Sequence, residues 1–130
     1  MNVIICLDDK NGMTFNSRRQ SKDRRVREKM LEIVSGAKLY MTEYSFAQFE
    51  ENADNIIISS DFCENENDFY FAESPDFPVK KINFLYVFRW NRVYPSDVKF
   101  NFDGRFKLEK TEEFEGSSHK KITLEIYKEI

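Results

Sequence analysis

Several residue types are scarce in this chain of 130 residues, which contains two cysteines, one histidine, three prolines and four glycines. Cys6 and Cys63 stand far apart and belong to no Cys-x-x-Cys pair, so the chain lacks the pattern of a disulfide framework. The single histidine, His119, excludes the ligand sets of binuclear zinc hydrolases, which need several histidines. We therefore expect no disulfide bond, no bound metal and no cofactor that depends on one.

Long apolar runs and a strong excess of one charge are also missing. No stretch approaches the roughly 20 apolar residues of a membrane-spanning helix, and no basic, apolar leader precedes the first apolar segment. The net charge of −3 and the isoelectric point of about 5.3 give no overall reason to expect an anionic partner. We expect a cytoplasmic protein that binds neither a membrane nor a nucleic acid.

The chain is rich in apolar side chains: hydrophobic residues make up 41% of it and aromatic residues 15%. A chain of this length buries roughly two-thirds of its unfolded surface without a metal or a disulfide bond. No internal repeat, linker or low-complexity tract divides the sequence. We therefore predict a single domain over residues 1–130.

The order of the apolar segments predicts an α/β fold. Residues 2–7, which are apolar from Val3 onward, have the pattern of a strand in a sheet covered by helices on both faces. An Asn-Gly turn and a loop over residues 13–20 follow, and then a helix over residues 22–34 with Ser21 as its N-cap. The helix is expected to end at Ser35-Gly36.

The remaining segments complete a three-layer mixed β-sheet. Alternation of apolar and polar residues near the end of the chain predicts an antiparallel C-terminal hairpin. A short helix opened by Thr42 or Ser45 is expected after the second strand. The predicted strands after the first helix cover residues 38–41, 55–60, 68–72, 82–89, 98–102, 106–114 and 120–128.

This order resembles a shortened dihydrofolate reductase, with the same opening strand, Gly-containing turn, loop and helix. The further residues that carry the resemblance are Met41 before Ser45-Phe46, Asn-Ile-Ile-Ile-Ser-Ser at 55–60, Tyr94-Pro95, and Ser118-His119 before the last strand. The resemblance implies a truncated form of that family's fold, and it places Asp23 near the family's acidic position.

Two departures argue against that family's reaction. About twenty residues without a glycine separate Ser60 from Ile82, where the family has a longer segment whose Gly-Gly turn holds the phosphates of NADPH. Residues 16–21 also replace a tryptophan-containing loop of the family. We therefore expect no NADPH-binding segment, no cofactor and no dihydrofolate reductase activity.

The chain is also similar to a family of short bacterial proteins of unknown function. The shared blocks are Asn-Gly-Met, Arg-Arg-Gln-Ser, Arg-Trp-Asn-Arg-Val-Tyr-Pro and Gly-Ser-Ser-His. Some members carry a ribonuclease Z label, which implies two zinc ions held by several His and Asp ligands. Because this chain has one histidine, we expect that it is not a zinc-dependent ribonuclease.

A basic segment over residues 18–29 is a candidate anion site. It holds seven basic side chains against two acidic ones, and Arg18 and Arg19 are expected just before a helix N-terminus, where free N–H groups attract anions. Guanidinium groups suit phosphate and carboxylate. The alternative is a solvated helix face whose charges pair with acidic side chains.

The segment from Arg89 to Pro95 is a second candidate. Its side chains Arg89, Trp90, Arg92 and Tyr94 would hold a planar or anionic ligand by stacking and by ionic contact. In the alternative interpretation, Trp90 and Tyr94 are ordinary core or rim residues at a strand end. The two arginine segments together predict a cleft that prefers an anion or a nucleotide.

Two further motifs raise the question of catalysis or ligand binding. Ser118 and His119 are adjacent, but neighbours on a strand point to opposite faces, so we do not expect them to pair. A histidine in a hairpin loop with a local hydrogen bond is the alternative to a nucleophile site. Asp8-Asp9 follows the first strand, where α/β sheets place ligands, although turn capping by aspartate explains it as well.

Three functions remain open at this point. The first is a non-catalytic binding or regulatory domain whose small ligand is an anion or a nucleotide. The second is a small enzyme without a nicotinamide cofactor, in which Asp23 or His119 acts as acid or base. The third is a protein–protein module that uses exposed aromatic residues such as Phe77 and Phe102, and a homodimer is left open.

Overall fold

The computed structural model describes residues 1–130 as a seven-stranded sheet, a three-stranded sheet and two helices. No helix in it is both long and apolar enough to cross a membrane. In chain order the elements are β1 (Asn2–Leu7), β2 (Gly12–Phe15), β3 (Arg18–Arg19), α1 (Arg24–Val34), β4 (Leu39–Met41), α2 (Glu43–Phe46), β5 (Ile56–Ile58), β6 (Phe69–Phe71), β7 (Phe84–Arg89), β8 (Val98–Lys99), β9 (Phe106–Phe114) and β10 (Ile122–Glu129).

The large sheet has the strand order β5-β4-β6-β1-β7-β10-β9. Its pairings from β5 to β7 are all parallel, whereas β10 lies antiparallel to both β7 and β9. The small sheet has the order β3-β2-β8 and is antiparallel. The predicted mixed α/β architecture with an antiparallel C-terminal hairpin is therefore confirmed.

Strand β1 lies at the centre of the core because it places apolar side chains on both faces of the sheet. Val3 and Ile5 belong to the apolar cluster on one face of the sheet, and Ile4 belongs to the cluster on the other face, where α1 packs through Met30. The first face is covered by aromatic residues from the connecting segments, among them Phe100, and no long helix lies there. In place of the helix expected on that face, loop residues and Met13 of β2 cover it.

The segment between β1 and α1 differs from its predicted form. Asn16 and Ser17 have φ angles of 52° and 60°, which make a tight turn between β2 and β3 in place of a loop over residues 13–20. Helix α1 begins at Arg24, and its N-cap is Asp23, so the prediction of Ser21 was wrong. Arg18 and Arg19 accordingly lie in a strand and not at the helix N-terminus.

Gly12 is required by close packing and not by an unusual backbone angle. Asn11 alone takes the left-handed conformation in this turn, with a φ of 62°, whereas Gly12 already begins β2. A Cβ atom on Gly12 would lie 2.6 Å from Gln20 Nε2 and 2.7 Å from Ser96 Oγ. The glycine therefore lets the small sheet lie directly against these side chains.

Candidate functional site

Asp23 and His119 lie side by side, although 96 residues separate them in the chain. His119 Nδ1 is 2.9 Å from Asp23 Oδ2, and Nε2 is 3.1 Å from both the Ser21 and the Tyr94 hydroxyl oxygens. In the neutral imidazole, Nδ1 donates to the carboxylate, which leaves Nε2 to accept from a hydroxyl group. We name Ser21, Asp23, Tyr94 and His119 the histidine cluster.

Both carboxylate oxygens of Asp23 are used within the protein. Oδ1 accepts hydrogen bonds from the N–H groups of Arg25 (2.8 Å) and Ser117 (3.0 Å), and Oδ2 accepts from the N–H of Ser118 (2.9 Å). Burial acts to raise the pKa of Asp23, but these N–H donors and His119 outweigh it and hold the pKa well below its ordinary value. Asp23 is therefore an ionised partner of His119 and not a proton donor.

The loop before β10 brings its backbone against this carboxylate. A Cβ atom on Gly116 would lie 2.7 Å from Asp23 Oδ2 and 2.8 Å from the carbonyl oxygen of His119. Ser118 Oγ lies 3.2 Å from His119 Nδ1, so the expectation that these neighbours do not pair was wrong. The reason is that residues 117–120 form a bend, where the alternation of a strand does not apply.

Trp90 and Tyr94 hold the histidine from two sides. The Trp90 ring is 3% exposed and stacks on the His119 ring, with centroids 4.7 Å apart and planes inclined by 24°. Tyr94 contacts Nε2 through its hydroxyl, and the Arg92 guanidinium lies 5.4 Å from the centre of the Tyr94 ring. Trp90 is thus a core residue, which agrees with the alternative interpretation of this segment.

Most arginines of the two predicted segments have acidic partners inside the protein. Arg89 Nε lies 2.7 Å from Glu125 Oε1, and Arg19 binds Glu73 through two contacts of 2.8 and 3.0 Å. Arg18 is exposed and forms no ion pair. The other basic residues of the first segment that form ion pairs are Arg24 and Arg25 with Glu28, Arg27 with Glu51, and Lys29 with Glu112.

Part of the predicted anion site does come together. Arg18, Arg19 and Tyr94 line a shallow depression of about 480 Å³, together with Gln20 and Pro95. We name it the arginine depression. The other three predicted ligand-binding residues, Arg89, Trp90 and Arg92, do not line it.

A deeper cavity of about 320 Å³ opens where β4 and β6 end. Thr42 and Ser45, which follow β4, and Ser74, which follows β6, contribute to its wall. Ligand cavities in α/β sheets commonly lie outside the carboxyl ends of the strands, and this volume is within their usual range. We name it the acid-lined cavity, because the charged residues that line it are all acidic: Glu73, Asp76 and Asp97. Its aromatic lining residues are Tyr44, Tyr70, Phe71 and Phe77.

The three carboxylates of this cavity differ in the number of hydrogen bonds that they accept from the protein. Glu73 accepts hydrogen bonds from Arg19, Ser45 and Gln48. Asp97 accepts one, from the backbone N–H of Asn16 at 3.1 Å, and the side chain of Asp76 accepts none. This cavity was not predicted from the sequence, although the acidic and aromatic residues Glu73, Asp76 and Phe77 in the segment after β6 were the signal that could have indicated it.

Two remaining candidates prove to be structural. Asp8 is fully buried and accepts hydrogen bonds from the N–H groups of Lys10, Gly12 and Tyr94, so the turn-capping interpretation is confirmed. Phe77 and Phe102, which were expected to be exposed, are half-buried and pack against the core. No group of three or more His, Cys, Asp or Glu side chains is placed to hold a metal ion.

In fold class the molecule is a dihydrofolate reductase-like α/β domain. The dihydrofolate reductase from Enterococcus faecalis, solved in complex with NADP(H) and RAB-propyl, matches it with a TM-score of 0.63 over 98% of this chain and 95% of that chain. The two sequences are 9% identical, so the likeness shows the fold alone. No protein-family model and no curated protein matches the chain.

Proposed function

We propose that this protein is a binding domain for a small organic molecule, which it holds in the acid-lined cavity. The observation that carries the proposal is that Asp76 and Asp97, which accept at most one hydrogen bond each from the protein, line the same cavity as several aromatic rings at the ends of β4 and β6. A half-enclosed apolar site with a few polar groups is the usual form of a small-molecule site. The likeness in fold supports a small-molecule ligand in general, because the reductase of Enterococcus faecalis was solved with NADP(H) and RAB-propyl bound.

The charge of the cavity favours a ligand with a protonated amine. Asp76 and Asp97 would pair with an ammonium or amidinium group, and the rings of Tyr70 and Phe77 would attract its positive charge. An anion would meet these two carboxylates with no free arginine to offset them, because Arg19 is already bound to Glu73. For this cavity we therefore propose the opposite ligand charge from the one that the arginine segments predicted.

An anionic ligand remains a second candidate, in the arginine depression. The observation in its favour is that Arg18 has no acidic partner and shares the depression with Tyr94. Inorganic phosphate, measured by titration calorimetry, is the probe. Phosphate binding that Arg18→Ala abolishes would support this candidate, and equal heats for both proteins would exclude it.

The amine proposal is tested with three matched aromatic probes: benzamidine, benzamide and benzoate. Titration calorimetry on the purified full chain is expected to detect benzamidine, to give a weaker signal with benzamide, and to give none with benzoate. The double variant Asp76→Asn/Asp97→Asn should weaken benzamidine at least about tenfold, since two charge contacts are lost. Asp54→Asn, which changes an exposed carboxylate away from the cavity, is the matched control.

Two results would overturn the proposal. One is benzoate binding as tightly as benzamidine, which would mean that the carboxylates do not select the ligand. The other is benzamidine affinity that is equal in the wild type and the double variant, which would place the probe elsewhere on the molecule.

We further propose a cytoplasmic location in a bacterial cell. Both thiols are free, and Cys63 is exposed, a state that a reducing compartment preserves. The similarity to short bacterial proteins supports the source. Fractionation of cells that express the tagged full chain, with a periplasmic marker beside it, tests the location.

A further inference from the structure

We propose that Ser21 is the nucleophile of an acyl-transfer site, activated by His119 and Asp23, whose substrates are small carboxylic esters. The three side chains form a continuous chain of hydrogen bonds, from Asp23 Oδ2 to His119 Nδ1 at 2.9 Å and from Nε2 to Ser21 Oγ at 3.1 Å. A carboxylate that orients a histidine, which in turn accepts the proton of a serine, is the arrangement that makes a hydroxyl group nucleophilic.

The environment of the cluster fixes the protonation states that this chemistry needs. Asp23 is 2% exposed and receives four backbone N–H groups, so it stays ionised. An ionised carboxylate on Nδ1 keeps the proton on that nitrogen and leaves Nε2 as the base. Trp90 stacks on the imidazole and holds the plane of the ring. Asp23 and Trp90 therefore fix the orientation of the His119 ring before a substrate binds, as a catalytic histidine requires.

Ser21 is half-buried and lies beside the arginine depression. Its chain neighbour Gln20 lines the depression, and so does Tyr94, which shares His119 Nε2 with Ser21. An ester that enters the depression would therefore bring its carbonyl group toward Ser21. A carboxylate or phosphate on the same molecule would meet the free guanidinium of Arg18.

A small cavity of about 10 Å³ is lined by Ser21 together with Gln20 and Cys6. Gln20 Oε1 is buried and has no hydrogen-bond partner within the protein. Cys6 does not compete as the nucleophile, because burial raises the pKa of its thiol and keeps it protonated.

The proposed reaction balances with solvent water as the only co-reactant. Ser21 Oγ forms a bond to the carbonyl carbon of the ester, and its proton passes to His119 Nε2. The bond from that carbon to the alkoxy oxygen then breaks, and the leaving alcohol takes the proton from Nε2. Water next attacks the acyl-serine and gives one proton to Nε2, and that proton returns to Ser21 Oγ as the carboxylic acid leaves.

The test is covalent labelling of the full chain with a fluorophosphonate, followed by intact mass and peptide mapping. We expect one label per chain, on Ser21, and hydrolysis of 4-nitrophenyl acetate that the label abolishes. Ser21→Ala should lose both, and His119→Gln should slow labelling about 100-fold or more, which is the effect of a lost general base. Ser60→Ala removes an exposed serine elsewhere and serves as the matched control.

Absence of a label on Ser21 in the wild-type protein would overturn the inference, and so would a label of equal extent in Ser21→Ala. A label on Tyr94 in place of Ser21 would overturn it as well. Because the mapping is done on the wild-type chain, the position of the label is established whether or not His119→Gln folds. None of these three results bears on benzamidine binding in the acid-lined cavity, so the two proposals fail separately.

Discussion

The histidine cluster and the acid-lined cavity use the same residue type in opposite ways. In the cluster, Asp23 is buried and surrounded by N–H donors from two distant parts of the chain. In the cavity, the side chain of Asp76 has no hydrogen bond and Asp97 has one. An aspartate whose oxygens are used by the backbone holds the fold together, and one whose oxygens are unused is open to a ligand.

The two aspartates differ in how many segments of the chain their carboxylates hold together. Asp23 caps α1 and at the same time fixes the loop before β10, two segments that no strand pairing connects directly. Asp76 lies in an exposed segment after β6 and joins nothing. Substitution should therefore affect stability at the first position and ligand binding at the second.

The largest expected effect is that of Asp23→Asn. An amide in this position presents its own N–H₂ to the N–H of Ser118 or to His119, so at least one buried donor loses its acceptor. Together with a weakened helix cap, this should lower the free energy of unfolding by about 3 kcal/mol. Urea unfolding followed by circular dichroism measures it, with Asp76→Asn as the matched control. A loss below about 1 kcal/mol would contradict the structural role given to Asp23.

Gly116→Ala comes next, because it tests the same contact from the other side. The added Cβ would lie 2.7 Å from Asp23 Oδ2 and 2.8 Å from a backbone oxygen that cannot easily move away. We expect a loss of about 2 kcal/mol in the free energy of unfolding. Gly36→Ala is the control, because its Cβ meets nothing within 4 Å and only its φ of 85° is strained. If the two variants lose equal stability, the close approach at Gly116 is not what matters.

The fold was predictable from the sequence because its main elements follow from local patterns. The apolar run of β1, the amphipathic face of α1 and the alternation in β10 each need only a short stretch of chain to be recognised. The short strands β2 and β3 were missed, because their pairing depends on a turn at Asn16 and Ser17 that no glycine marks.

The candidate sites were less predictable because they depend on which distant residues meet. Asp23 and His119 were singled out separately, but the hydrogen bond between them needs the hairpin loop to reach the start of α1. The basic segment looked like an anion site, since the sequence does not reveal that Glu73 reaches Arg19. The outcome therefore depended on acidic partners from other parts of the chain and not on local composition.

The pH dependence of the free energy of unfolding tests the same role of Asp23 without a change in backbone packing. The pKa of Asp23 is lower in the folded protein than its value of about 3.9 in an unfolded chain. Its stabilisation is therefore complete above about pH 4 and is lost as the pH falls further, by at most about 1.4 kcal/mol per pH unit. Asp8, whose pKa is lowered in the same direction, contributes similarly. Unfolding curves between pH 6 and 2 should fall less steeply for Asp23→Asn than for the wild type.

The smallest expected effect is that of Asp76→Asn on stability. Its carboxylate accepts no hydrogen bond and lies in an exposed segment, so the free energy of unfolding should change by less than about 0.5 kcal/mol. Within that range a small gain in the free energy of unfolding agrees with the structure, because the substitution removes one of the three negative charges that line the cavity. The same variant should still weaken benzamidine, whereas Asp54→Asn should change neither quantity. A marked loss of stability in Asp76→Asn would mean that this carboxylate holds the fold as Asp23 does, and the division between the two regions would not stand.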